Sequence, residues 1–321
     1  MTEQLAPQDL QLEKEGEDKG FTLPKCFPPS HGVTGPDGRI SYRAETFAVV
    51  EGYRNLLLDV VVPATSADGP VPVVVWIHGG AFVMGASEEV WSPWFVPMRE
   101  KVLAAGFAFA ALSYRFSAEA AFPAQLMDAR AAIRYLRHFA ADLGIDGRRL
   151  ALWGGSAGAQ LALLAALDGV NPVFTEQIGV EGEDAPVAAV VDFFGPSDVL
   201  SMQADDLTDG VNDHEGPDAF MSRLIRGPIR EHEERARAAS PISYVSPGAP
   251  PVLAVHGTAD TAVGPAQSRR LVAALREVGA VADLIEVPGA DHGFIGIDMD
   301  PILETCIEFL SKHLTGETLQ G

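Results

Sequence analysis

Short, almost uniformly apolar runs recur along this chain, and most of them close on a glycine. VPVVVWIHGG (71–80), FAFAALSYR (107–115), RLALWG (149–154), VAAVVDFFG (187–195), PPVLAVHG (250–257) and ADLIEVPG (282–289) stand at intervals along the sequence. Runs of this kind do not alternate between core and water, so they read as strands buried on both faces. Helical patterns lie among and after them near 93–105, 123–143, 156–168, 265–279 and 301–314. In the second of these Leu126, Ala129, Ile133, Leu136 and Phe139 recur at helical spacing. So many strand–helix alternations leave one architecture, a mostly parallel sheet covered on both faces. Residues 40–50 and 54–63, joined by Glu51-Gly52, are expected to add an antiparallel pair.

Two regions break the pattern. Residues 1–38 are polar and punctuated by Pro24, Pro28, Pro29, Gly32, Gly35 and Pro36, which predicts an irregular arm ahead of a single domain at 39–321. Residues 197–246 carry no strand pattern and exceed an ordinary connection, so they are expected as an insertion. Apolar Phe220, Met221, Leu224 and Ile225 suit a small cap formed with the arm over the strand ends, or equally the anchor of a surface helix.

Charge narrows the partners. At −21 the chain repels phosphate, which argues against nucleic acid and anionic membrane surfaces. No apolar run approaches a membrane span, and the start lacks the basic and apolar regions of a signal peptide, so a cytoplasmic location is expected. Cys26 and Cys306, the only cysteines, are expected as free thiols, with pairing the alternative. A homodimer is left open. No metal-ligand spacing, P-loop or dinucleotide fingerprint occurs, so neither metal nor cofactor is expected.

Chemistry in such sheets gathers at the carboxyl ends of the strands. Those ends carry His78-Gly79-Gly80-Ala81, Gly154-Gly155-Ser156-Ala157-Gly158, Asp260 and His292. With 32 glycines in the chain, G-x-S-x-G alone would arise by chance in roughly one such sequence in six or seven. A glycine-rich loop, a serine, an acid and a histidine at four strand ends, in the order Ser, Asp, His, is far more specific. A serine hydroxyl needs a base to become a nucleophile, and His292 fits that task. Asp260 would fix its tautomer and balance the imidazolium. Backbone N–H groups of Gly80, Ala81 and Ala157 would receive an oxyanion. Asp192, Asp198 and Asp291 are the rival acids, and His78 and His256, ahead of glycines, are expected to pin their loops.

VVVWIHGGAFVMG, the stretch from LSYRFSAEAAFPAQ to LALWGGSAG, FFGPSD, ASPISYVSPGAPPVLAVHGTAD and GADHGF together resemble the α/β-hydrolase superfamily. The likeness lies with its hormone-sensitive-lipase-like and acetyl-xylan/feruloyl-esterase-like carboxylesterases. It covers about 55–312 in order and implies an α/β-hydrolase fold. It also implies Ser156 as nucleophile, Asp260 and His292 as its partners, and Gly80, Ala81 and Ala157 as oxyanion donors. Two departures stand out: Ala81 replaces the last glycine of the oxyanion loop, and Gly155 stands where many relatives carry an acid.

The leading expectation is a serine carboxylesterase that acts on small-molecule esters through an acyl-enzyme. A pathway enzyme on the same scaffold (dehydratase, cyclase or acyltransferase), a formamidase or other amidase, and a receptor that has lost catalysis are the alternatives. In 82-FVMGASEEVWSPWF-95, Phe82, Met84 and Trp91 are expected to line the substrate pocket and, by crowding it, to favour acetyl to hexanoyl or aromatic esters.

Overall fold

A computed structural model describes residues 23–64, 69–88, 92–168 and 174–315. Nine strands form one sheet: β1 (Val33–Thr34), β2 (Ile40–Ala48), β3 (Leu56–Val62), β4 (Val71–Ile77), β5 (Ala108–Leu112), β6 (Ile145–Gly155), β7 (Val190–Phe193), β8 (Val252–Gly257) and β9 (Ala282–Val287). Their order is β1-β2-β3-β5-β4-β6-β7-β8-β9. From β5 to β9 every pairing is parallel, while β1, β2 and β3 join antiparallel at one edge.

The uniform apolarity of the central strands follows from two separate cores. Along β4, Val71, Val73, Val75 and Ile77 face one core, and Val74 and Trp76 face the other. The first core is closed by α2 (Ala124–His138), α4 (Ala157–Leu167) and α7 (Ala266–Glu277), the second by α1 (Phe95–Ala104) and α8 (Asp300–Leu314). Burying a Val, Leu or Ile contributes about 1.5–3 kcal/mol, so each strand is held from both sides. The expected helix at 123–143 divides at Phe139 into α2 and α3 (Ala140–Leu143).

Part of the arm belongs to the sheet. Val33 and Thr34 pair with Ser41 and Ile40, a strand too short to leave a period in the sequence. The Ser30 N–H and hydroxyl both donate to Glu45 on β2, so the described arm follows the sheet edge. The insertion contains α5 (Phe220–Ile225) and α6 (Glu233–Ala238) with short 3-10 turns, and no strand among its residues.

The turn at Ser156 rests on a close crossing of α4 against β4. A Cβ on Gly158 would stand 2.0 Å from the Ile77 carbonyl oxygen and 2.4 Å from that of His78, and one on Gly154 would stand 2.4 Å from the Gly158 carbonyl. Only glycine admits this approach. Gly158→Ala should therefore cost about 2–3 kcal/mol in chemical unfolding, the upper range for overpacking. A loss below about 0.5 kcal/mol would show that the crossing is not tight.

Candidate active site

Ser156 is the residue between β6 and α4, with φ 54° and ψ −121°. That left-handed backbone is costly for a side-chain-bearing residue and persists where surroundings impose it. Here the Ser156 N–H donates to the Phe193 carbonyl (2.8 Å) and its own carbonyl accepts from Gln160 (3.1 Å).

The three residues expected to act together are in one chain of hydrogen bonds. His292 Nε2 lies 3.0 Å from Ser156 Oγ, and His292 Nδ1 lies 2.7 Å from Asp260 Oδ2. An ionised carboxylate only accepts, so the imidazole proton sits on Nδ1 and Nε2 is free to take the serine proton. Burial alone would raise the Asp260 pKa. Hydrogen bonds from His256 and His292, the charge of His292 and the Val263 N–H outweigh it and hold the carboxyl well below the usual range. Its Oδ1 accepts from the N–H groups of Ala262 (2.9 Å) and Val263 (2.8 Å).

The histidine loop is fixed at three points. Asp291 Oδ1 accepts from the Thr261 N–H (3.0 Å), tying the histidine loop to the acid loop. The Trp94 indole N–H donates to the Gly293 carbonyl (2.8 Å). The Phe194 ring packs on the imidazole with centroids 4.6 Å apart. Asp291 thus holds a loop and makes no side-chain bond to the imidazole, and Asp198 caps the 3-10 turn at Val199–Ser201 through the Leu200 N–H.

The oxyanion loop is equally constrained. The Val83 and Met84 N–H groups donate to the Gly80 carbonyl (2.9 and 3.1 Å), and a Cβ on Gly80 would stand 2.1 Å from the Met84 carbonyl oxygen. The Tyr114 hydroxyl donates to the His78 carbonyl (3.0 Å), and its ring stacks on His78. Burial keeps His78 neutral, its pKa lowered to about 4, with Nδ1 2.7 Å from the Gly79 carbonyl. Among the described residues, the N–H groups of Gly80, Ala81 and Ala157 donate no hydrogen bond. Gly80, Ala81 and Ala157 line the same cavity as Ser156 and His292. Ala81 takes φ 53°, where a third glycine would be easier, and the loop keeps its turn nonetheless.

That cavity, about 690 Å³, is also walled by Val83, Met84, Phe194 and Val263, and by Met202, 211–214 and 218–221 of the insertion. Within the insertion Phe220 and Met221 line the cavity, while Met221, Leu224 and Ile225 are anchored in the first core. Residues 23–38 do not line it, so the arm's described part does not join the insertion there. Of the expected substrate contacts that are described, Met84 is placed at the cavity and Phe82 is not. Phe82 is a correction: positive φ at Ala81 and Phe82 turns the chain so that its ring is fully buried beside Tyr114. Trp91 lies outside the described residues. Trp94 is buried among Trp76, Phe193 and Phe194. Gly155 faces this aromatic group, where a Cβ would stand 3.2 Å from the Trp76 indole, so a larger residue would press on the ring.

His256 does more than pin a turn. Its Nε2–H donates to the Val263 carbonyl (2.8 Å) and lies 3.3 Å from Asp260 Oδ2, while Nδ1 accepts from the Ser268 hydroxyl (2.7 Å). The spacing of four residues between His256 and Asp260 was the signal available in the sequence. Among the described residues no cluster of His, Cys, Asp or Glu could hold a metal ion, and both cysteines are free. No helix among them is long and apolar enough to cross a membrane.

Asp192 is a buried carboxyl beneath this site. Burial pushes its pKa up to about 6, against the Gly195 N–H and the field of His256. A raised carboxyl pKa means that the folded state holds the proton more tightly than the unfolded one. Its stabilising contribution is full below about pH 4 and is lost as pH rises through 6. Asp192→Asn keeps an acceptor for Gly195 and cannot ionise. Relative to wild type it should gain on the order of 2–3 kcal/mol in urea unfolding between pH 4 and 8, and parallel stability curves would contradict the assignment.

The BD-FAE family model matches residues 58–275. The chain is 33% identical over 265 residues to esterase LipQ of Mycobacterium tuberculosis, covering 82% of this chain and 60% of that protein. It is 31% identical to esterase LipC of the same organism, covering 75% and 58%. The chain therefore spans about 60% of the length of these curated relatives. A truncated carbohydrate esterase from gut microbiota superposes with a TM-score of 0.73 at 27% identity, over 88% of this chain and 99% of that one. With a family match over more than half its length and a shared fold, the chain belongs to the BD-FAE family of α/β-hydrolases.

Proposed function

We propose that the protein is a serine carboxylesterase. The observation that carries the reading is the hydrogen-bonded series Asp260, His292, Ser156, opening on a cavity beside unengaged N–H groups. Relatives named as esterases support it. In the reaction Ser156 Oγ attacks the ester carbonyl carbon while His292 Nε2 takes its proton, and Asp260 stabilises the imidazolium through Nδ1–H. The carbonyl oxygen becomes an oxyanion held by the N–H groups of Gly80, Ala81 and Ala157. Collapse breaks the bond to the alcohol, which leaves with the proton from Nε2. Water then attacks the acyl-serine, again giving its proton to His292, and the acid departs with Ser156 restored. The free thiols support a reducing, cytoplasmic location as part of the same proposal.

Esters from p-nitrophenyl acetate to hexanoate should be hydrolysed. Ser156→Ala should lower turnover on the order of a thousandfold or more with the fold intact. Asp260→Asn should be severe through the wrong imidazole tautomer, and Asp198→Asn mild. Activity of Ser156→Ala within tenfold of wild type, or Asp198→Asn worse than Asp260→Asn, would contradict these roles.

A further inference from the structure

The rim of the cavity differs from the rest of the surface. Ten large apolar side chains stand exposed among the described residues, and four of them line this one cavity. They are Met84, Val211, Phe220 and Ile295, exposed to 57, 83, 53 and 68%. Three separate segments contribute them: the oxyanion loop, the insertion and the turn after His292. Single exposed apolar residues are ordinary, whereas several gathered at one mouth mark a surface that binds.

Polar groups on the same wall are engaged by the protein itself. Asn212 Nδ2 donates to the Thr261 carbonyl (2.7 Å), and Asp213 Oδ1 accepts from the N–H groups of Glu215 (3.0 Å) and Gly216 (2.7 Å). His214 Nε2 lies 3.6 Å from Asp206 Oδ1. A polyhydroxylated substrate needs convergent donors and acceptors, and several of those on this wall already bond within the protein. Among the described residues no Lys or Arg lines the cavity, whereas Asp213 and Asp218 do, so an anionic tail finds repulsion in a chain that already carries −21. The volume of about 690 Å³ falls in the range that buries a drug-sized molecule. Phe82, expected to crowd the acyl group, is in the core and takes none of that space.

Resting on the esterase reading above, we propose that Met84, Val211, Phe220 and Ile295 form a collar for the distal apolar part of a neutral ester. That part extends beyond a hexanoyl chain and belongs to the acyl or the alcohol half. Short esters react without reaching the collar; the preferred substrate covers it.

The test compares wild type with the triple variant Val211→Ser, Phe220→Ser, Ile295→Ser. Two series separate the halves: p-nitrophenyl esters from acetate to laurate, and butyrates from methyl to decyl. In wild type, kcat/KM should rise past six carbons to eight or ten in at least one series, by up to about fourfold per buried methylene. In that series the variant should lower the ten-carbon to four-carbon ratio by about tenfold. An ester whose apolar tail ends in a carboxylate should be at least tenfold poorer than its neutral counterpart. Both series peaking by six carbons, or an unchanged ratio in the variant, would overturn the collar. So would an acetylated xylo-oligosaccharide cleaved with higher kcat/KM than any neutral alkyl ester. In these three cases Ser156-dependent butyrate hydrolysis leaves the esterase reading standing; absence of Ser156-dependent turnover on every ester overturns both.

Discussion

The approach of α4 to β4 through Gly158 sets the geometry on which the site depends. With no side chain at 154 or 158, the helix start comes within contact of the Ile77 and His78 carbonyls. The chain then has to reverse over a single residue, and Ser156 takes up that reversal at φ 54°. One crossing thus brings the serine hydroxyl and the Ala157 N–H to the strand end next to the His78–Gly80 loop. The strain on Ser156 is held by packing around it, so the hydroxyl of the proposed nucleophile is positioned before any substrate arrives.

Electrostatics completes what the turn begins. Asp260 is fully buried, and an isolated carboxylate there would be costly. Two backbone N–H groups, the His292 imidazole and nearby His256 make the ionised form the stable one. Asp192 is also buried but has one N–H partner, and its pKa moves the opposite way. Burial is common to both residues; the number of donors decides which way the pKa moves.

Most of the architecture was legible because it rests on local pattern. Buried strands and helices announce themselves by period, and Ser156, Asp260 and His292 follow the ends of β6, β8 and β9, where topology brings residues together. What escaped depended on backbone conformation or distant packing. Phe82 looked like a pocket residue by its place after the oxyanion loop, yet two positive φ angles turned it into the core. The contact of His256 with Asp260 depends on the turn that follows β8, which a strand pattern does not specify. Strand β1 is two residues long and exists only through its partner. The insertion's polar wall follows from turns in which Asp206 and Asp213 accept neighbouring N–H groups, local bonds that carry no helical or strand period.

Active-site labelling addresses the central claim, that Ser156 is made nucleophilic by His292 and Asp260. A fluorophosphonate reacts with an activated serine and leaves an adduct that intact-mass and peptide analysis can place. One equivalent on Ser156 in wild type, and labelling slowed at least a hundredfold in His292→Ala, is the predicted result. Labelling at another serine, or an undiminished rate without His292, would contradict the account.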